Sequence, residues 1–245
     1  MSDRYEIYFA FESPWSSSDL QGLVERLSGR EQLTHPVDSQ TTTESDQTPH
    51  SDPTDRYVSE LASDSGYIGI SLGAPGLACS LIYTDSENGP LDLPQLNISV
   101  QDHHFFPQEG ETDQDAIERI DTLYTFLADL YEVLVALDRA PVYVYGLQPI
   151  EYDKATNPDH VNGITAEQLR SGEILGIYWC QIFPPRLVEQ LGAEQLLSVP
   201  AFRSEQLSDG GILLVVTHAM NTQALPPEDH APNVVSEKLG IDWEL

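Results

Sequence analysis

Glu173 to Thr217 reads Glu-Ile-Leu-Gly-Ile-Tyr-Trp-Cys-Gln-Ile-Phe, then Pro-Pro-Arg-Leu-Val-Glu-Gln-Leu-Gly, then Ala-Glu-Gln-Leu-Leu-Ser-Val-Pro, and closes with Ala-Phe-Arg-Ser-Glu-Gln-Leu, Ser-Asp-Gly-Gly and Ile-Leu-Leu-Val-Val-Thr. Ile174 to Phe183 is apolar, aromatic and β-branched, the composition of a strand covered on both faces. Pro184 and Pro185 end it. A proline in the first helical turn gives up a donor that the helix could not have used. Leu187, Val188 and Leu191 mark one side of a short helix, and Gly192 stands where a residue with positive φ is wanted. Ala193 to Leu197 forms a further helical turn before Pro200. Ser208-Asp209-Gly210-Gly211 separates two β-like runs, and Asp-Gly is a strong hairpin signal. The stretch therefore reads strand, helix, strand, turn, strand.

The same grammar extends outward in both directions. Immediately before it, Thr165 and Gln168 suit a capping box for a short helix ending near Gly172, preceded by a loop over Asn157 to Gly163. Thr112 to Arg139 carries the longest helical signal. Thr112 and Asp115 form a capping pair, and Ile117, Ile120, Tyr124, Leu127, Tyr131 and Leu134 recur at helical spacing, widened by Leu123, Leu130 and Leu137. At 1.5 Å per residue such a helix is about 40 Å long, enough to cover a sheet, and Val142 to Leu147 follows it as a strand. Further back, Tyr67 to Leu72, Leu77 to Tyr83 and Leu96 to Val100 succeed one another at short spacing, which argues for an antiparallel meander. Tyr5 to Phe11 opens the chain as a strand. A serine among Ser16 to Ser18 caps a helix through Leu20, Leu23, Val24 and Leu27. After Thr217 a polar loop over His218 to Pro227 leads to a last short helix at Asn233 to Leu239. The expected fold class is α+β: one domain over residues 1–245, a largely antiparallel β-sheet packed against the helix at about 113–139 and shorter helices. A polar insert, expected to be disordered, occupies about 34–53 and reads as a tolerated surface insertion.

Gly176, Trp179, Phe183-Pro184-Pro185, Leu187-Val188, Leu191-Gly192, Leu196, Pro200-Ala201 and Gly210-Gly211-Ile212-Leu213-Leu214 together resemble the immunity-protein-52-like family, the type VI immunity proteins of toxin-immunity systems. Where such proteins usually carry a second glycine after the position of Gly192, this chain has Ala193. The resemblance spans roughly 45 residues. It implies a non-enzymatic protein that binds and neutralises a cognate toxin, and it supplies no catalytic residues.

Lysine and arginine number 11 against 40 aspartates and glutamates, a net charge of −29, and the lysines are Lys154 and Lys238 alone. Self-repulsion at such a charge loosens a compact state in dilute buffer. In molar salt the Debye length falls to about 3 Å and the repulsion is screened. The acid excess is thus best explained by a salt-rich, halophilic cytoplasm. Carboxylates spread along the whole chain speak against an acidic mimic of nucleic acid, which needs a concentrated patch, and nucleic acid itself is a poor partner at this charge. No run is apolar and long enough to span a membrane, and no signal peptide opens the chain, so the expected location is cytoplasmic. Cys79 and Cys180 lie in apolar runs and read as buried thiols. Asn97-Ile98-Ser99 matches a glycosylation sequon, which without export is chance.

Three motifs invite chemistry. Gly69-Ile70-Ser71-Leu72-Gly73 matches Gly-x-Ser-x-Gly, but a nucleophile elbow needs a turn into a helix, and here another β-like run follows. His103-His104, beside Asp102 and Glu109, offers metal-binding side chains. Neighbours on a strand point to opposite faces, however, so a surface loop is the better reading. His160 and His218 are isolated. No catalytic, cofactor-binding or metal-binding residue is therefore assigned, and no cofactor is expected. The reading that competes with immunity is a haloarchaeal domain serving as a structural or assembly subunit, which would show itself as an obligate oligomer with a large apolar interface.

Overall fold

The computed structural model describes residues 4–28, 33–34, 53–63, 66–72, 77–85, 93–147, 166–172, 176–217 and 231–241. In chain order the elements are β1 (Arg4–Ala10), α1 (Ser17–Ser28), β2 (Leu33–Thr34), α2 (Pro53–Leu61), β3 (Tyr67–Leu72), β4 (Ala78–Thr84), β5 (Gln95–Gln101), a 3-10 turn (Asp102–Phe105), α3 (Asp113–Ala136), β6 (Tyr143–Leu147), α4 (Ala166–Ser171), β7 (Cys180–Phe183), α5 (Pro185–Leu191), α6 (Ala193–Ser198), β8 (Arg203–Gln206), β9 (Ile212–Val215) and α7 (Ala231–Leu239). Among the described residues the strands form one nine-stranded sheet in the order β2-β3-β4-β5-β1-β6-β7-β9-β8, and every pairing among them is antiparallel. The α+β class and the β3-β4-β5 meander agree with the sequence reading. Most of the expected insert at 34–53, the turn at 73–76, the loop at 157–163 and residues His160 and His218 lie outside the described residues.

β1 sits centrally because its alternation feeds two cores. Tyr5, Ile7 and Phe9 point into a cluster shared with Leu20, Leu23, Val24 and Leu27 of α1, Leu61 of α2 and the apolar stripe of α3. Tyr8 and Ala10 point the other way, into a second cluster built with Leu169 of α4, Leu187 and Val188 of α5, Leu196 of α6 and Val235 and Leu239 of α7. Period-2 alternation puts successive side chains on opposite faces. The sheet is therefore covered on both sides, with the long helix on only one of them. The second cluster has no member in β3, β4 or β5.

Helix starts follow the predicted chemistry. Thr112 caps α3: Asp115 N–H donates to its hydroxyl, and Thr112 N–H donates back to the Asp115 carboxylate at 2.7 Å. Ser16 and Asp19 exchange the same pair of bonds at the start of α1. Pro185 opens α5 directly after Pro184. Gly192 both ends α5 and starts α6 with φ of 88°. A Cβ there would meet only the Gln195 Cβ at 3.8 Å, so conformation and not space makes glycine useful there.

One expectation needs correction. The apolar run from Ile174 is not a strand throughout: the ladder starts only at Cys180, opposite Val215. Ile177, Tyr178 and Trp179 are buried without pairing as a strand. The Tyr178 N–H donates to the Gln181 side chain, at 3.3 Å, instead of to a neighbouring strand. Meanwhile Trp179 turns its indole over Gly146 of β6, where a Cβ would lie 2.7 Å from the ring. Composition reports burial here and cannot report which polar group satisfies the backbone. The Ser208–Gly211 turn does join β8 to β9, held to α3 by the Tyr131 hydroxyl, which donates to Asp209 at 2.8 Å, and by Ser208, whose N–H donates to Glu132 at 2.7 Å.

Candidate functional site

The register of the sheet places side chains from four strands on the face opposite α3. Tyr67 faces Ile82, Ile82 faces Asn97, and Asn97 faces Tyr8, giving one row. The next row runs Gly69, Ser80, Ser99, Glu6, and Ser71 pairs with Ala78 beyond it. Most of these positions are half-buried, and Tyr67 is 46% exposed. Small residues floor this half of the sheet, an aromatic ring stands at its outer end, and a carboxylate stands at its inner end.

Glu6 is the electrostatic centre of the face. Its two oxygens accept from Asn97 Nδ2 at 2.6 Å and from Ser99 Oγ at 2.8 Å. Burial pushes its carboxyl above the usual range, against the opposing pull of those two bonds and of Arg4. The two sequon residues thus serve as hydrogen-bond donors to this acid. Asn97 leaves its Oδ1 buried with no hydrogen-bond partner, and both amide atoms of Gln95, two residues earlier on the same face, are in the same state. Gln95 is only 1% exposed.

Further along the sheet the face closes into a tyrosine array. Tyr145 stacks on Tyr8 at 5.4 Å and on Tyr143 at 5.9 Å, and contacts Tyr178 at 5.6 Å. The Tyr143 hydroxyl donates to Gln181 Oε1 at 3.1 Å. Burial raises the phenols of Tyr143 and Tyr145 well above their ordinary range, so both stay neutral. These rings form the wall between the open half of the face and the helices that cover the rest.

The motifs singled out in the sequence take up structural positions. Ser71 lies inside β3, flanked in register by Ala78 and Thr34, and β3 leads to a strand and not to a helix. His103 and His104 are not on a strand, nor in a wholly exposed loop: they occupy the 3-10 turn after β5. His103 is exposed, while His104 is buried. Their rings lie 4.0 Å apart. The turn is gripped by Arg119 of α3, which donates to the carbonyls of His104 and Phe106 at 3.0 and 2.9 Å and pairs with Glu111 at 2.6 Å. Burial, His103 and Arg119 together lower the His104 imidazole to about 4. Its Nδ1 has no hydrogen-bond partner. Among the described residues no group of three or more histidines, cysteines or acids is placed to hold a metal ion. Cys79 and Cys180 are buried free thiols, Cys79 with its thiol pushed up to about 12 by burial. Among the described residues no helix is long and apolar enough to cross a membrane.

Glu6 and Gln95 belong to no motif in the sequence, and Asn97 draws notice there only as part of a sequon. The signal that exposes them is polar residues at alternate positions in two strands, Arg4 and Glu6 in β1 and Gln95, Asn97, Ser99 and Gln101 in β5. These residues become a cluster only once β1 and β5 pair.

No family model matches the chain, and no curated protein matches it. Among solved structures it is similar to a T6SS protein of Pseudomonas aeruginosa, with 13% identity over 99% of this chain and 73% of that one, at a TM-score of 0.45.

Proposed function

We propose that this chain is a non-enzymatic, immunity-like binding protein that neutralises a cognate toxin by covering its active surface, working in a salt-rich cytoplasm. The observation that carries the reading is the open half of the sheet face. It displays Tyr67, Ile82 and Glu6 on a floor of small residues, while helices cover the other half. Aromatic side chains with a few placed polar groups are what a protein-binding surface needs at its centre.

A second observation supports it. Most residues that carry the resemblance to type VI immunity proteins form framework: Trp179, Phe183, Leu187, Val188, Leu196, Ile212, Leu213 and Leu214 are all buried. A motif of this kind specifies a scaffold and leaves the binding face free to differ from one partner to the next. Co-expression with the toxins encoded beside the gene, followed by capture in multimolar KCl, tests the reading. Rescue of growth and a stable complex are the expected results. No rescue and no complex with any neighbouring toxin refutes it, and an obligate homo-oligomer that buries the open face would favour an assembly subunit instead.

A further inference from the structure

Among the described residues β8 is an outermost strand of the sheet, paired on one side only, with β9. The register decides which of its main-chain groups face outward. Val216 N–H donates to the Trp179 carbonyl at 2.9 Å, so Val216, Leu214 and Ile212 turn their main chain toward β7. Val215 and Leu213, between them, turn toward β8, where they face Arg203 and Glu205. Hydrogen-bonding direction alternates along an antiparallel strand, so the N–H and C=O of Ser204 and Gln206 point away from the sheet. Among the described residues neither main chain bonds to anything on that side. Phe202 spends its N–H on the Val216 carbonyl at 3.3 Å and ends the free run.

Exposed edges are commonly blunted by charged side chains. The two charges on β8 select a register instead. Arg203 and Glu205 lie on the α3 face, where Arg203 donates to Asp121 at 2.9 Å, to Thr125 at 3.1 Å and to Glu205 at 2.8 Å. They stand on either side of Ser204. In an antiparallel pairing of β8 with a copy of itself, Ser204 opposite Ser204, each Arg203 faces the other copy's Glu205. The neighbouring registers, centred on Arg203 or on Glu205, set like charges opposite each other. Opposite charges across a strand pair stabilise it and like charges destabilise it.

We propose that β8 is the docking edge for a second copy of this chain, joining two sheets about a two-fold axis at Ser204. Leu197 and Phe202, both exposed, add apolar surface beside the strand; the Ser204 hydroxyl donates to the Leu197 carbonyl at 3.4 Å. The open half of the sheet, β3-β4-β5, lies beyond the centre from β8 in the strand order. The pairing therefore leaves that face free and does not rest on the toxin reading. Two chains of net charge −29 repel each other in dilute buffer, so the pairing needs salt.

Sedimentation equilibrium of the full chain in multimolar KCl is the experiment. A monomer–dimer equilibrium is expected for wild type and for Ser204→Ala. Ser204→Pro removes an outward N–H and leaves the β9 ladder intact; it is expected to be monomeric. Arg203→Glu and Glu205→Arg each set like charges opposite one another and are expected to weaken self-association about tenfold or more. Mixing those two variants is expected to restore dimers, because each supplies the charges that the other lacks. Every variant is checked for native circular dichroism, and if the charge variants do not fold, Ser204→Pro against Ser204→Ala decides alone. The proposal is overturned by a wild type that stays monomeric at every concentration, by Ser204→Pro dimerising as wild type does, or by folded charge variants whose mixture stays monomeric. It is also overturned if wild type is monomeric and Ser204→Pro loses toxin capture, which assigns the edge to the toxin. A dimer that captures no neighbouring toxin sinks the immunity reading alone, and capture by a strictly monomeric protein sinks the pairing alone.

Discussion

Replacing Gly146 by alanine tests the central packing claim. A Cβ at Gly146 would lie 2.7 Å from Trp179 Cε2 and 2.9 Å from both Cζ2 and Nε1. Carbon atoms in good contact sit about 3.5–4.0 Å apart, so the indole or the strand must retreat by about 0.8 Å or more. The indole has little room to do so: Trp179 is fully buried, with the rings of Tyr5 and Phe105 at 6.0 Å and Tyr124 at 6.1 Å. Overpacking of this kind costs about 1–3 kcal/mol. Against it stands the gain of about 0.5–1 kcal/mol that alanine usually brings over glycine within a strand. The expected net loss is about 1–2 kcal/mol. Urea unfolding at fixed KCl is the suitable assay, since guanidinium chloride would itself alter the screening of a chain this acidic. With a urea slope of about 3 kcal/mol/M, the midpoint falls by roughly 0.3–0.7 M. A double-mutant cycle with Trp179→Phe isolates the contact, because the smaller ring leaves space for the new methyl. A coupling of about 1 kcal/mol or more is expected. A Gly146→Ala protein as stable as the wild type, or strictly additive effects, would refute the packing described for β6 and Trp179.

Other consequences are open to measurement. Arg119→Ala leaves the buried His104 carbonyl, the part-buried Phe106 carbonyl and Glu111 Oε1 without this donor; a loss of about 2–3 kcal/mol is expected by urea unfolding, and a change below about 0.5 kcal/mol would contradict the clamp. The lowered imidazole of His104 binds its proton more weakly when folded than when unfolded. Its contribution is therefore complete above pH 6.5 and is lost as pH falls towards about 4. His104→Gln should flatten that limb of the stability profile, and an unchanged profile would count against burial of the ring. Raising KCl from low to multimolar should increase the melting temperature of a chain with net charge −29 by screening self-repulsion; equal melting points would remove the halophilic reading.

Much of the fold was legible because local chemistry and tertiary structure agree. Thr112 and Asp115 announce the start of α3, Pro184-Pro185 and Gly192 bracket α5, and Asp209-Gly210 marks the hairpin that α3 then holds through Tyr131. The run from Ile174 was read as too long a strand, because apolar composition measures exclusion from water and is silent about hydrogen-bond partners. The histidine pair was misplaced for a related reason: whether neighbouring residues diverge or stack depends on the backbone they occupy, and a 3-10 turn gripped by Arg119 brings the two rings together.

The sequence by itself determined the α+β class, the order of most elements, the caps and turns, and the acidic charge, all of which follow from residues close together in the chain or from composition. Tertiary structure alone decided that helices cover both sides of the sheet, that Trp179 needs a glycine facing it, and that Glu6 meets Asn97 and Ser99 across more than ninety residues. Those outcomes depend on which strands pair and in what register, and a shift of one residue would turn each of these side chains to the other face.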